Sequence, residues 1–278
     1  MARTGLFLAL AISVTVSGVT TAQEPTTYVR YELGGNVSYG VLEGDTIHEL
    51  RGDIFDSIVR TGDTVALGAV RVLSPTAPKK VVAIGFNYGS HLGDAEPAAE
   101  PGVFAKYPTS VVPHDSEITY YADATDLHYE GEMVLIIGRT ARNVPKEEAN
   151  DYIFAVAPGN DVSERAWQRD DLQWFRAKGA DTFGPVGPVM VAGVDYNNIL
   201  LQTRLNGDVV QSQRTEDLIF DTASIVSYVS KYLTLEAGDM IFTGTPGSTK
   251  AMKPGDVVEV ELENVGILRN TVGPKQKD

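Results

Sequence analysis

The chain has no cysteine in its 278 residues. That absence removes disulfide frameworks, thiolate zinc sites, iron–sulfur clusters and cysteine nucleophiles together. Positive charge is scarce. Only 23 Lys and Arg stand against 37 Asp and Glu, giving a formal net charge of −14 and a sequence pI near 4.7. Nucleic-acid binding needs a basic footprint, so no nucleic-acid partner is expected. No Walker A sequence occurs, and the glycines of Gly85–Gly93 do not follow the dinucleotide-binding spacing. No repeat, heptad or low-complexity tract is present. Past the N-terminus, no apolar run approaches the roughly 20 residues of a membrane span.

The first 22 residues read as a secretory signal. Arg3 precedes an apolar run from Leu6 to Val16, and Thr20-Thr21-Ala22 supplies a small-residue cleavage site. The expected mature protein is exported, periplasmic or secreted, with no membrane association after cleavage. Residues 23–76 read as a small β-rich N-terminal module ending at the Pro-punctuated linker Ser74–Pro78. Residues 77–273 form the larger domain, and 274–278 a tail.

Residues 27–50 alternate as short strands, and Asp53 reads as the N-cap of a short helix near Ile54–Arg60. Further strands are expected at Val81–Ile84, Met133–Gly138, Tyr152–Val156, Val186–Val191, Leu200–Leu205, Met240–Thr243 and Val257–Leu262. Asn206-Gly207 marks a two-residue hairpin. Helices are fewer. One follows Pro145, one spans Ser163–Gln168 with Asp161 or Ser163 as cap, and one spans Thr222–Leu233. In the last, Ile225, Val226, Val229, Tyr232 and Leu233 share a face. Strands outnumber helices without alternating with them, which indicates an α+β, β-rich architecture.

Glu130 and Glu132 lie just ahead of a buried-type apolar strand. At i and i+2 on an extended chain they share a face. Two partly desolvated carboxylates repel, and a divalent cation bound by oxygen ligands would offset that. A solvated strand face is the plainer alternative. Asp161 could cap the helix that follows it, or be a third oxygen ligand. His91 and Asp94, three apart, would face the same way in a helical turn and make a general acid/base pair, or a surface pair. Lys178, on a constrained loop before two Gly-Pro turns, could offset negative charge or be solvated. The turn at Gly244-Thr245 could meet a carboxylate through the Thr245 N–H and hydroxyl, or be only a turn. His48, His114 and His128 show no comparable partner.

Taken together, the segments AIGFNYGSH, VFAKYPTSVV, LHYEGEMVLIIGRTARNV, GNDVSERAWQ, KGADTFGPVGPVMV, LNGDVVQ, GDMIFTGTPGS and KPGDVVEVELENVGILRN resemble the fumarylacetoacetate hydrolase family. They are collinear over about residues 80–272. The resemblance implies a mixed β-sandwich roll with flanking helices, and a homodimer. It places Glu130, Glu132 and Asp161 on the family's metal-binding acids, usually Mg²⁺ or Mn²⁺, with Ca²⁺ also compatible. His91 falls on the catalytic histidine, Lys178 on the substrate-contacting lysine, and Gly244 and Thr245 on the turn that binds substrate carboxylate. Arg165 and Gln168 match the helix after the metal Asp. Two positions depart from the family pattern. Asp94 stands where many members carry Glu, and Tyr107 separates Lys106 from Pro108. The segments look most like the acylpyruvate or 2,4-diketo sugar-acid hydrolase and ureidoglycolate lyase branch. The implied activity is metal-dependent hydrolysis of a C–C bond in a small anionic diketo acid through an enolate. Isomerase or tautomerase, decarboxylase and lyase chemistry on a 2-oxo acid are the alternatives, and a silent exported binder is a further one.

Overall fold

The computed structural model describes residues 24–277; the signal expected at residues 1–22 lies outside them. The N-terminal stretch is a meander of β1 (Thr26–Leu33), β2 (Asn36–Glu43), β3 (Thr46–Asp53) and β4 (Ser57–Ala66). β5 (Val81–Gly85) leads through helix α1 (Gly89–Leu92) to β6 (Gly102–Lys106), β7 (Glu117–Tyr120) and β8 (Leu127–His128). Next come β9 (Gly131–Ile137), α2 (Lys146–Ala149) and β10 (Ile153–Asn160), then β11 (Ser163–Glu164), α3 (Arg165–Asp170) and α4 (Phe175–Gly179). β12 (Val189–Ala192), β13 (Leu200–Leu205) and β14 (Asp208–Arg214) precede α5 (Thr222–Tyr232). β15 (Met240–Phe242), β16 (Val257–Leu262) and β17 (Gly266–Lys275) close the chain.

One large mixed sheet runs β4-β3-β2-β1-β12-β10-β9-β15-β5-β6, and a five-stranded sheet runs β14-β13-β16-β17-β7. This is the expected β-rich α+β fold. Tyr28 of β1 pairs with Met190 of β12, so the N-terminal meander extends the main sheet. No helix among the described residues is long and apolar enough to cross a membrane.

The central strand β9 is buried along its whole length, which explains its unbroken apolar run. Its side chains alternate between two cores. Met133, Leu135 and Ile137 pack with Ile225, Val226 and Val229 of α5. Val134 and Ile136 pack on the opposite face with Ala155 and Phe242. Each such buried Ile or Leu contributes about 1.5–3 kcal/mol. At the end of α5 the expected apolar face breaks off. Tyr232 is 69% exposed and makes an edge contact with Tyr228 at 5.4 Å.

Two local expectations are corrected. Residues 57–66 form β4, not a helix after Asp53. Ile58, Val59, Thr61, Thr64 and Val65 are β-branched and favour the pleated conformation. Asp53 instead accepts the Phe55 N–H at 2.9 Å and shapes the turn. The cap of α3 is Glu164, whose carboxylate accepts the Trp167 N–H at 2.6 Å, rather than Asp161 or Ser163.

Candidate active site

The register of β9 against β10 assembles the acids. Gly131 sits opposite Asn160, and Glu132 opposite Gly159. Glu130 and Asp161, each just off its strand, are therefore neighbours across the pair despite their separation in sequence. Asp161 N–H donates to Glu130 O at 2.8 Å, and Glu130 N–H donates to Asn160 Oδ1 at 2.9 Å. Glu130, Glu132 and Asp161 are all buried, and one oxygen from each lies within 4.8 Å of the others. Gly131 lets β13 come close, since a Cβ there would stand 1.9 Å from Thr203 Oγ1.

Three cations face this trio. Lys178 Nζ donates to Glu130 Oε2 at 2.6 Å and to Asp161 Oδ2 at 2.7 Å. Lys106 Nζ meets Asp161 Oδ1 at 2.5 Å and also donates to Lys178 O. Arg165 donates through Nη2 to Glu130 Oε1. Burial pushes the Glu130 carboxyl up, but Lys178 and then Arg165 outweigh it and hold the group below the ordinary carboxylate range. Glu132 has no such cation bonded to it. Burial, then Asp161, then Glu130 push it well above the ordinary range, although Gly244 N–H donates to its Oε2 at 2.7 Å. Burial pulls the Lys178 ammonium down, but Asp161 and Glu130 more than offset that. In Lys106 burial wins, and its ammonium is pulled below the usual lysine range.

Lys106 was not among the expected site residues. It is the last residue of β6, is followed by Tyr107 rather than directly by Pro108, and places its ammonium on Asp161. Its one sequence signal was the lysine of the FAKYP segment.

The expected His91–Asp94 pair does not form. α1 stops at Gly93, whose φ of 61° and ψ of −125° turn the chain away and leave Asp94 exposed. His91 Nδ1 is instead 2.5 Å from the Gly247 carbonyl oxygen, and Nε2 is 4.0 Å from Glu130 Oε1. A carbonyl oxygen only accepts, so Nδ1 carries a proton and, in the neutral ring, Nε2 presents the lone pair.

His91, Glu130, Asp161, Arg165 and Lys178 line a cavity of about 430 Å³. Gln168 lines it, and its Oε1 accepts from Arg165 Nη1 at 2.7 Å. Thr245 lines it too, but its hydroxyl donates to Gly131 O at 2.9 Å and accepts from Gln211 Nε2 at 2.8 Å. The Thr245 hydroxyl, one of the two groups expected to meet a carboxylate, is thus committed within the protein, as is the neighbouring Gly244 N–H on Glu132, whereas the Thr245 N–H makes no such bond among the described residues. A Cβ on Gly244 would lie 2.7 Å from that of Asn87, and its φ of 109° also needs glycine.

His128, taken from sequence as a bystander, is part of the wall. Its Nε2 meets Asp126 Oδ1 at 2.9 Å and its Nδ1 meets Thr249 Oγ1 at 2.8 Å. Thr249 Oγ1 also accepts from Arg165 Nη2 at 3.0 Å. A polar chain thus runs from Asp126 through His128 and Thr249 to the guanidinium on Glu130. Asp126 lies two residues before His128 on an extended segment, the same spacing that picked out the glutamate pair.

The donor set fits a hard divalent cation. It is all oxygen, and one buried carboxyl of the trio, Glu132, is driven toward its neutral form by burial and then by its acidic neighbours, a cost that a cation relieves. A roll built on two mixed sheets, with an acid trio where its central strands end and a cavity beside it, defines the protein class.

The chain belongs to the fumarylacetoacetate hydrolase family. Residues 80–273 match the family model described as Fumarylacetoacetate (FAA) hydrolase C-terminal, and residues 27–75 match one described as Rv2993c-like, N-terminal. A solved structure from Mycobacterium marinum, named 2-hydroxyhepta-2,4-diene-1,7-dioate isomerase, is similar at 37% identity and TM-score 0.84, covering 91% of this chain and 100% of that one. Oxaloacetate tautomerase YisK of Bacillus subtilis is 33% identical over 214 residues, which is 72% of this chain and 71% of that protein. Fumarylpyruvate hydrolase from Pseudomonas aeruginosa, solved with Mn²⁺ and pyruvate, is 28% identical with TM-score 0.67, covering 72% and 91% respectively.

Proposed function

We propose that the protein is a divalent-metal-dependent keto–enol isomerase of small anionic 2-oxo acids. This is the alternative reading of the sequence rather than the C–C hydrolase placed first there. The observation that carries it is the setting of His91. In the neutral ring its Nε2 can take a proton, but Asp94, the acid expected to drive it as a water-activating base, is exposed and makes no bond to it. Isomerisation asks less of this group than hydrolysis does. A C–H bond beside the ketone breaks, an O–H bond forms, and water enters no bond. The names of the tautomerase and isomerase relatives support the same choice.

Glu130, Glu132 and Asp161 are the residues that would hold Mg²⁺ or Mn²⁺, which when bound would supply Lewis-acid polarisation of the 2-oxo group. His91 Nε2 takes the proton from the carbon next to the ketone, and Glu130 beside it steadies the imidazolium. Lys178 Nζ donates a hydrogen bond toward the developing oxyanion. Arg165 and Gln168 face the anionic substrate from α3.

The test follows the enol absorbance of oxaloacetate and, in parallel, pyruvate release from an acylpyruvate. Faster enol decay with Mn²⁺, lost in His91→Gln, is the expected result. Acylpyruvate cleavage outpacing enol conversion would restore hydrolysis as the activity.

A further inference from the structure

The mechanism above uses the charged side of the cavity and leaves its apolar side without a role. That side is formed by Ile84, Phe86, Phe104 and Trp174. Two of these residues sit on unusual backbone. Phe86 has φ of 58° and Trp174 has φ of 54°, in the left-handed region that bulky residues seldom adopt. Such conformations concentrate where surrounding structure holds a residue in place for function. Phe86 is also 53% exposed, so burial of its ring does not account for the conformation.

The two aromatic residues flank the two groups that would do the chemistry. The Phe86 ring lies 6.0 Å from the His91 ring, tilted by 35°. Trp174 immediately precedes α4, and its carbonyl accepts the Lys178 N–H at 3.1 Å, so indole and ammonium are set by one turn. Phe104 packs edge-on against Trp174 at 5.4 Å and lies 5.1 Å from Lys178 Nζ. A 2-oxo acid with its ketone at Lys178 and its reacting carbon at His91 would have this wall beside it, since Phe86 flanks His91 and Phe104 with Trp174 flanks Lys178. The cavity of about 430 Å³ leaves space beyond a short acid. Flat π-surfaces prefer flat partners in offset or edge-on contact.

Resting on the isomerase reading, we infer that Phe86 and Trp174 are specificity-determining residues. They select 2-oxo acids whose chain beyond the reacting carbon is planar and unsaturated or aromatic.

The test measures binding and turnover separately on the Mn²⁺-loaded full chain. Binding uses two 2-oxo acids, the planar conjugated 2-oxo-4-phenylbut-3-enoate and the short 2-oxobutanoate, by calorimetry. The native protein is expected to prefer the first by about tenfold or more. Phe86→Asn and Trp174→Asn remove each ring with a residue that tolerates the left-handed backbone. Each is expected to cut that preference to about threefold or less, and an unchanged Mn²⁺ Kd shows that the variant is folded. A native preference below about threefold, or a preference unchanged in both variants, overturns the inference. Turnover of the enols of phenylpyruvate and oxaloacetate reports on the isomerase reading by itself. If neither enol is converted while the binding preference persists, the reading fails and the aromatic recognition stands.

Discussion

Removing the Lys178 ammonium should expose how the acid trio is held. Its Nζ serves Glu130 Oε2 at 2.6 Å and Asp161 Oδ2 at 2.7 Å, and all three side chains are 5% exposed or less. Lys178→Met keeps most of the stem volume but leaves two buried carboxylate oxygens facing no donor. Breaking a buried ion pair from one side costs about 3–5 kcal/mol. Arg165 and Lys106 still face the other oxygens, so the lower end of that range applies. For a chain of this size, each kcal/mol moves Tm by roughly 2–4 °C, which gives a fall of about 10 °C. The assay is thermal unfolding with and without MnCl₂. A cation that binds only the folded state adds about 2.7 kcal/mol at a hundred times its Kd. In Lys178→Met it also replaces lost positive charge, so its Mn²⁺-induced rise in Tm should exceed that of the native protein. A variant Tm within about 2 °C of native, or a smaller Mn²⁺ effect than native, would refute the charge balance described.

Gly131→Ala should destabilise by about 1–3 kcal/mol, because its Cβ would meet Thr203 Oγ1 at 1.9 Å. That hydroxyl has no partner, so adding Thr203→Ala should recover part of the loss in a double-mutant unfolding series, and strict additivity would refute the contact. Asp221→Ala should cost about 1 kcal/mol by removing the cap bond to Ser224 N–H. Burial raises the Asp221 carboxyl, but Lys146 and Ser224 outweigh it and the folded value lies below the ordinary aspartate range. Its contribution is therefore full above that range and lost as pH falls through the lowered folded value, so native and variant stabilities should converge in acid. Thr249→Val removes two bonds of about 0.5–1.5 kcal/mol each, about 1–3 kcal/mol together, so it should weaken anionic substrate binding by roughly fivefold or more. Thr249→Ser should restore it, and equal KM values in all three proteins would dismiss the Asp126–His128–Thr249 chain.

The strand pattern made much of this molecule readable. Period two put Glu130 and Glu132 on one face, and the apolar run after them marked the central strand. Asp161 was different, because its place beside Glu130 comes from the β9–β10 register, which spacing along the chain does not encode. Local geometry also overrode helical reasoning. The i, i+3 relation of His91 and Asp94 needs a continuing helix, and Gly93 ends it one residue after α1. After Asp53 the β-branched sequence won over the capping signal. Lys106 went unrecognised because its partner, Asp161, comes from a distant segment; His128 has Asp126 two residues before it, but its link to Arg165 runs through the distant Thr249. The two left-handed aromatic residues leave no trace in hydrophobic periodicity.

The most direct test of the central claim is enol-to-keto conversion measured against bound Mn²⁺ in the same samples. Chelated protein should be inactive, and activity should rise in proportion to one Mn²⁺ per chain. Glu132→Gln should lower both binding and rate. Conversion that persists at full rate in metal-free protein, or Mn²⁺ that binds without restoring it, would contradict the account.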